Sequence, residues 1–304
     1  LQKHFLQVQE EFSRLHGNIK GGRVGILGMG KLGSCELTAG SDVDLILLYE
    51  HDEDAEISDG EKPLYISQYY TRLTQRLVAA LSTLTSQGVL YTVDLRLRPL
   101  GNKGLVAVSF EFFRKYYRKE AWIWEHLALT RARGIAGDLD FLQKLENEVC
   151  TIIGFSRNKK DVKKAICEMR MLIEKEKPPE NRWGLKTMLG GIMDLEFIAQ
   201  FSLITHVIAF QIRATTADIL AQLPTSFLNQ SFISDLHHAY GIYTNLSQIM
   251  RLCLNDALDL NDMPSGLSEL LLSSVGEPDL LRVEKLIEET RQSVCSIFIQ
   301  IMKY

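Results

Sequence analysis

The run Gly28-Met29-Gly30-Lys31-Leu32-Gly33 follows the apolar segment Val24-Gly25-Ile26-Leu27 and shortly precedes Ser41-Asp42-Val43-Asp44. No other feature restricts the fold as much. A strand entering a glycine-rich turn fits a dinucleotide-binding pattern, with Glu50 about twenty residues onward, where a ribose-binding acid would sit. A parallel strand pair, however, needs a crossover of about a dozen residues or more, usually a helix. Between Gly33 and Ser41 there is room for about two helical turns. The next strand also opens on two acids for which a dinucleotide fold has no use. The reading that remains treats turn and acids as one device, a backbone that approaches a polyphosphate closely and carboxylates that hold its metal ions.

At Gly28, Gly30 and Gly33 the absence of a side chain lets amide N–H groups face phosphate oxygens, and Lys31, Ser34 and Ser41 would add ammonium and hydroxyl contacts. In a strand, Asp42 and Asp44 project from one face with their α-carbons about 6.5–7 Å apart, close enough to share a divalent cation. A second strand is expected over Val89–Leu97. Within Tyr91-Thr92-Val93-Asp94-Leu95-Arg96-Leu97-Arg98 one side is apolar and the other ionic. If the two strands are neighbours, Asp94 is a third carboxylate beside the pair. Two carboxylates about 5 Å apart repel by roughly 3 kcal/mol at an effective dielectric of 20, so three together call for bound cations. Oxygen ligands favour Mg²⁺ or Mn²⁺ over zinc. Such ions would activate an attacking hydroxyl and stabilise a leaving pyrophosphate, while Arg96, Arg98 and Lys103 neutralise phosphate charge. An isolated Asp-x-Asp is common and usually marks a solvated strand end. The glycine turn upstream and the acid–arginine strand downstream make this one a catalytic candidate, whereas Lys103 fits a solvated turn equally well.

The rest of the 304-residue chain reads as mostly helical. Seven prolines interrupt the chain, and apolar residues recur at three- and four-residue spacing. Residues 2–16 form an amphipathic helix, and Pro63 opens a helix expected to bury Tyr70, Leu73, Leu77, Leu81 and Leu84 on one stripe. The acid-rich stretch 50–62 between them reads as a solvated loop. After Ser109 strand signals nearly vanish. Helices are expected near 109–119, 121–130, 138–152, 159–176, 191–208, 228–256 and 278–302. The architecture is α+β, with a mixed-sheet lobe at 1–155, including the helix at 2–16, and an all-helical bundle at 156–304.

Charge excludes a dedicated nucleic-acid binder, since 34 Lys plus Arg against 38 Asp plus Glu leave a net charge of −4. No apolar run approaches the roughly 20 residues a membrane-spanning helix needs. Five scattered cysteines without a C-x-x-C pair argue against a disulfide framework and suit a reducing cytoplasm. The opening Leu1 in place of Met suggests a piece of a longer polypeptide.

Four stretches together resemble the nucleotidyltransferase superfamily that includes DNA polymerase beta, and more closely the glutamine synthetase adenylyltransferase family. They are Gly28-MGKLGSCEL-Thr38, Ser41-DVDL-Ile46, Val93-DLRLRP-Leu100 and Ala121-WIWEHLALTRAR-Gly134. A weaker likeness, Trp183-GLKTMLGGIMDLEF-Ile198, extends into the helical half. The resemblance implies a nucleotidyltransferase lobe followed by a helical domain, with Asp42, Asp44 and Asp94 as metal ligands. It further implies transfer of AMP from ATP to a tyrosine of glutamine synthetase, with the PII signalling protein as regulator. These enzymes carry two related halves, one attaching AMP and one removing it by phosphorolysis. The Ala121–His126 wording is more similar to the adenylylating half. A phosphorolytic half giving ADP and a non-catalytic regulatory lobe are the alternatives. Ser34 and Cys35 depart from the family's pattern at a second glycine and a basic residue.

Trp122, Trp124, Leu127 and Leu129 are expected in the core, and Cys35 as a small buried filler. Glu125, Arg131 and Arg133 are expected to buttress the site, and Asp194 and Glu196 to act in capping or interdomain contacts.

Overall fold

Two strands of nearly unbroken apolar residues lie at the middle of the sheet. In the computed structural model, which describes residues 1–86, 88–89, 91–179, 181–254 and 263–303, the strands are β1 (Arg23–Gly28), β2 (Val43–Glu50), β3 (Leu84–Thr85), β4 (Gly88–Val89), β5 (Val93–Asp94), β6 (Ala107–Ser109) and β7 (Arg133–Gly137). The helices are α1 (Gln2–His16), α2 (Gly30–Gly33), α3 (Ile66–Ser82), α4 (Phe110–Lys119), α5 (Ile123–Leu129), α6 (Leu139–Ile153), α7 (Lys159–Glu176), α8 (Ile192–Ile204), α9 (Thr216–Ala221), α10 (Gln230–Cys253), α11 (Ser265–Val275) and α12 (Leu280–Met302).

Strands β1 and β2 pair antiparallel, from Arg23 opposite Glu50 to Gly28 opposite Leu45. The short chain between them can make this return because an antiparallel pair needs no crossover helix. On its other side β1 pairs antiparallel with β7. The far edge of β2 takes two parallel partners in succession, β5 beside its start and β6 beside Leu47–Tyr49. Strands β3 and β4 form a separate hairpin.

Both faces of the sheet are covered, which is why the middles of its two central strands are apolar. Phe5 and Phe12 of α1, together with Tyr70, Leu73 and Leu77 of α3, share a core with Val24, Ile26, Leu45 and Leu47. On the other side α6 packs against β1, bringing Phe141 and Leu145 so near Gly25 that a Cβ there would lie 2.6 Å from Leu145 Cδ1. Helix α6 starts where Asp138 accepts the Phe141 N–H, and α4 where Ser109 accepts that of Phe112.

The chain divides into two compact units. One comprises Leu1–Leu37, Ser41–Gly154 and Gln211–Arg213, and the other Thr38–Gly40, Phe155–Phe210 and Ala214–Tyr304. The second contains α7 to α12. Helix α8 is its centre, in contact with α7, α9, α10 and α12. Its sequence is apolar on every side, with Leu195, Ile198, Phe201 and Leu203 all buried, as an enclosed helix requires. No helix among the described residues is long and apolar enough to cross a membrane.

The architecture is α+β with a small mixed sheet and many helices. Several local expectations need correction. The strand expected over 89–97 is reduced to Val93–Asp94, because Asp94 Oδ1 accepts the backbone N–H of Arg96 at 2.7 Å and turns the chain. Leu90 lies outside the described residues. Strand β7 forms where no strand is expected, since Arg133-Gly134-Ile135-Ala136-Gly137 lacks alternation and relies on β1 for its pairing. The helix expected at 191–208 stops at Ile204, and α9 and α11 add to the expected set. The proposed end of the 228–256 helix falls outside the described residues beyond 254.

Candidate active site

Strand pairing assembles the acids. In the parallel register of β2 and β5, Val43 lies opposite Val93 and Asp44 opposite Asp94. Neighbouring strands lie about 4.8 Å apart, so these two carboxylates start from adjacent points on one edge. Asp42 precedes Asp44 by two residues and lies just ahead of β2, which begins at Val43. Asp42 is exposed, whereas Asp44 and Asp94 are half-buried.

The glycine turn lies against the same acids. Met29, fully buried, donates its N–H to the Asp44 carbonyl at 2.9 Å. The chain then enters the single helical turn α2 through Gly30, whose φ of +51° suits glycine. A Cβ at Gly30 would lie 2.5 Å from Asp44 Oδ2, so the backbone passes within touching distance of that carboxylate. Gly33 is even more confined, since a Cβ there would stand 1.7 Å from the carbonyl oxygen of Arg131.

Arg131 and Arg133 brace this turn from the start of β7. Arg131 Nε and Nη2 donate to Ser34 Oγ at 3.1 and 3.0 Å, and Nη2 also reaches Glu36 Oε2 at 2.9 Å. Arg133 Nε and Nη2 donate to the carbonyls of Gly33 and Leu32, each at 3.0 Å. Both arginines therefore hold the loop's shape through specific bonds.

This bracing changes the reading of Ser34, expected at phosphate. Its hydroxyl is buried, accepts from Arg131 and donates to the Gly30 carbonyl at 3.2 Å. Arg98 is likewise turned inward, donating to the carbonyls of Leu95, Leu105 and Gly104 at 2.7, 3.0 and 3.1 Å. It ties together the loop that follows Asp94, and burial pulls its guanidinium below the ordinary arginine range despite the nearby Asp94 charge. Lys31 is half-buried within α2, Ser41 is half-buried just ahead of β2, and Lys103 is exposed in the 3₁₀ turn Gly101–Lys103.

Arg96 behaves differently. Its Nε donates to Asp94 Oδ2 at 2.8 Å, and its Nη2 forms an ion pair with the same oxygen. Partial burial pushes the Asp94 carboxyl up, but these bonds outweigh it and hold the group below the usual carboxylate range. Asp42 and Asp44 also act electrostatically on Arg96. Among the described residues no three His, Cys, Asp or Glu side chains are already gathered as a metal cage. The register sets Asp44 beside Asp94, with Asp42 just ahead of β2, and carboxylate oxygens are the kind of donor that suits a hard divalent cation.

Glu125 is almost completely buried at the first turn of α5, accepting the Trp122 N–H at 2.9 Å and the Tyr116 hydroxyl at 2.8 and 2.9 Å on its two oxygens. Burial pushes its carboxyl up, against the lowering effect of those bonds. Burial, followed by the Glu125 hydrogen bond, pushes Tyr116 up to about 12. Two core assignments fail around it. Trp122 is 69% exposed at the helix start and Trp124 is also exposed, while Leu127 and Leu129 are buried as expected. Cys35 is exposed too, at a left-handed φ of 61°. In the helical unit, Asp194 is enclosed with Arg170 and accepts the Gly190 N–H at 2.6 Å.

Comparison with known proteins supplies the family. The model for "GlnE: Glutamate-ammonia ligase adenylyltransferase" matches residues 2–148. The chain is 88% identical over 304 residues to the bifunctional glutamine synthetase adenylyltransferase/adenylyl-removing enzyme of Bartonella henselae, covering 100% of this chain and 31% of that protein. The enzyme of the same description from Mesorhizobium japonicum is 52% identical over 288 residues, covering 94% and 29%. That from Xanthobacter autotrophicus is 40% identical over 301 residues, covering 98% and 30%. The chain thus spans about 30% of the length of the curated relatives it matches. These likenesses identify the chain as a member of the glutamine synthetase adenylyltransferase family.

Proposed function

We propose that the lobe formed by residues 1–155 transfers AMP from ATP to a tyrosine hydroxyl of glutamine synthetase, with residues 156–304 as a helical domain that positions the protein substrate or receives regulatory signals. The observation that carries this reading is the register of Asp44 opposite Asp94, with Asp42 two residues earlier and the Gly30 backbone against Asp44. The tyrosine oxygen forms a bond to the α-phosphorus, the bond from that phosphorus to the bridging oxygen breaks, and pyrophosphate leaves in line with the attack.

Asp42, Asp44 and Asp94 would hold Mg²⁺ or Mn²⁺. Ions bound there neutralise phosphate charge and favour the ionised tyrosine oxygen. The chain's own contribution is positional. Buried Met29 anchors the turn to β2, and Arg131 and Arg133 hold the shape of the loop through Ser34, Glu36 and the carbonyls of Leu32 and Gly33. Lys31, Ser41, Arg96 and Lys103 are the proposed phosphate contacts, along with the backbone of Gly28, Gly30 and Gly33. Ser34 and Arg98 serve that contact by holding the two loops that frame it.

The test supplies α-labelled ATP, Mg²⁺ and purified glutamine synthetase. Label transferred to a tyrosine is the expected result, and its absence with a folded protein counts against the proposal. The relatives' description also names adenylyl removal, which favours a second reading in which orthophosphate attacks the AMP-tyrosine phosphorus and ADP leaves. Adenylylated glutamine synthetase plus phosphate separates the two, because only removal yields ADP. Adding the PII protein to either assay tests the regulatory role implied by the resemblance.

A further inference from the structure

Arg96 occupies a carboxylate that the proposed chemistry needs for metal. Both Asp94 oxygens are engaged by this one residue, Oδ1 by its backbone N–H at 2.7 Å and Oδ2 by Nε at 2.8 Å together with the Nη2 ion pair. The two kinds of contact differ in consequence. The backbone bond fixes the turn after β5 and remains whichever way the arginine side chain points. The guanidinium bond is a charge contact on the solvent side, since the Arg96 side chain is 68% exposed and that of Asp94 only 15%.

An exposed ion pair is weak because water and salt compensate the separated charges nearly as well. A divalent cation carries twice the charge and takes several oxygens at once, so it can displace the guanidinium from Oδ2. Arg96 also lies within electrostatic reach of Asp42 and Asp44. A cation arriving at this edge therefore repels the guanidinium from the acids it has been neutralising. An incoming triphosphate offers it another anion along the same edge, suited to the forked geometry of arginine.

We infer that Arg96 is an exchangeable internal counter-ion: it latches Asp94 before metal binds, and yields that carboxylate to the cation while moving to the nucleotide phosphates. The arrangement keeps three acids tolerable on one edge without metal. It also makes metal and nucleotide binding mutually supportive, because either ligand favours the unlatched arginine. The inference rests on the proposed role of Asp94 as a metal ligand.

The deciding experiment titrates Mn²⁺ into the intact 304-residue chain without nucleotide, following free Mn²⁺ by its paramagnetic resonance signal. Arg96→Gln should bind Mn²⁺ about two- to fivefold more tightly than the parent, the range expected when an exposed competing ion pair is removed. Arg96→Lys, which keeps the charge but loses the fork, should fall between the two. A non-hydrolysable ATP analogue added with Mn²⁺ should bind Arg96→Gln more weakly than the parent. Unchanged or weaker Mn²⁺ binding by Arg96→Gln overturns the latch, as does unchanged nucleotide affinity. Asp94→Asn separates the two levels of argument. If it leaves Mn²⁺ affinity unaltered, the metal role of Asp94 fails, whereas reduced affinity in Asp94→Asn beside no gain in Arg96→Gln defeats the latch alone.

Discussion

Each unit contains an arginine–aspartate pair, and the two pairs sit in opposite environments. In the helical unit Arg170 and Asp194 are 5% and 0% exposed and 2.7 Å apart. The surrounding backbone adds the Gly190 N–H on Asp194 and the Thr187 carbonyl on Arg170. In the sheet unit the corresponding side-chain exposures of Arg96 and Asp94 are 68% and 15%. Burial makes an ion pair obligatory, because a stranded charge has no water to compensate it. Exposure leaves a pair exchangeable. The first serves the fold, and the second can be opened by a ligand.

The contrast is easiest to break at the buried pair. Arg170→Ala should cost ~3–5 kcal/mol of helical-unit stability, because Asp194 is left enclosed without its cation. Chemical denaturation measures this, and a loss below ~1 kcal/mol would erase the distinction drawn here. Asp44→Asn should have the inverse signature. Label transfer from ATP should fall by about 10²–10³-fold, the scale for removing one electrostatic contact from a reacting centre. The melting temperature should hold or rise slightly as carboxylate repulsion is relieved.

Glu125 gives a smaller effect with a defined sign. Its folded carboxyl lies above the ordinary range, mainly through burial. The folded state therefore retains this proton where the unfolded chain has released it, and stability falls as pH rises through that window. Denaturation of the parent and of Glu125→Gln between pH 4 and 8 should show the parent losing stability relative to the variant, then levelling above the raised value. A parallel pair of curves would remove burial as the controlling influence. The smallest effect belongs to Trp122→Ala, expected within about 0.5 kcal/mol of parent stability, since that ring is 69% exposed.

Much of the sheet unit was legible because its signals are local. The apolar second half of Ser41–Tyr49 suits a strand buried on both faces, and β2 forms there from Val43 onward, leaving Asp42 just ahead of it. The short link after Gly33 excluded a crossover helix, and β2 returns antiparallel as that implies. What escaped depends on partners distant in sequence. Strand β7, with two glycines and no alternation, exists because β1 offers it an edge. The strand expected through Leu97 ended at Asp94 because a carboxylate two residues before an arginine can bend the chain onto itself. Alternation alone does not register that competition. Residue type alone places Trp122 in the core, but its backbone N–H serves the buried Glu125 while its ring faces out. Ser34 and Arg98 have the composition of phosphate ligands, and only their bonding partners reveal that they hold loops.

Strand β5 is only two residues long. Asp44 sits inside the eight-residue β2 with Asp42 just ahead of it, whereas Asp94 ends β5 and leads straight into the 95–105 segment that Arg98 tethers. The position of the Asp94 carboxylate thus depends on the segment that follows it, while the central ladder does not. Variation in that segment can therefore shift Asp94 relative to Asp44 without disturbing the paired strands.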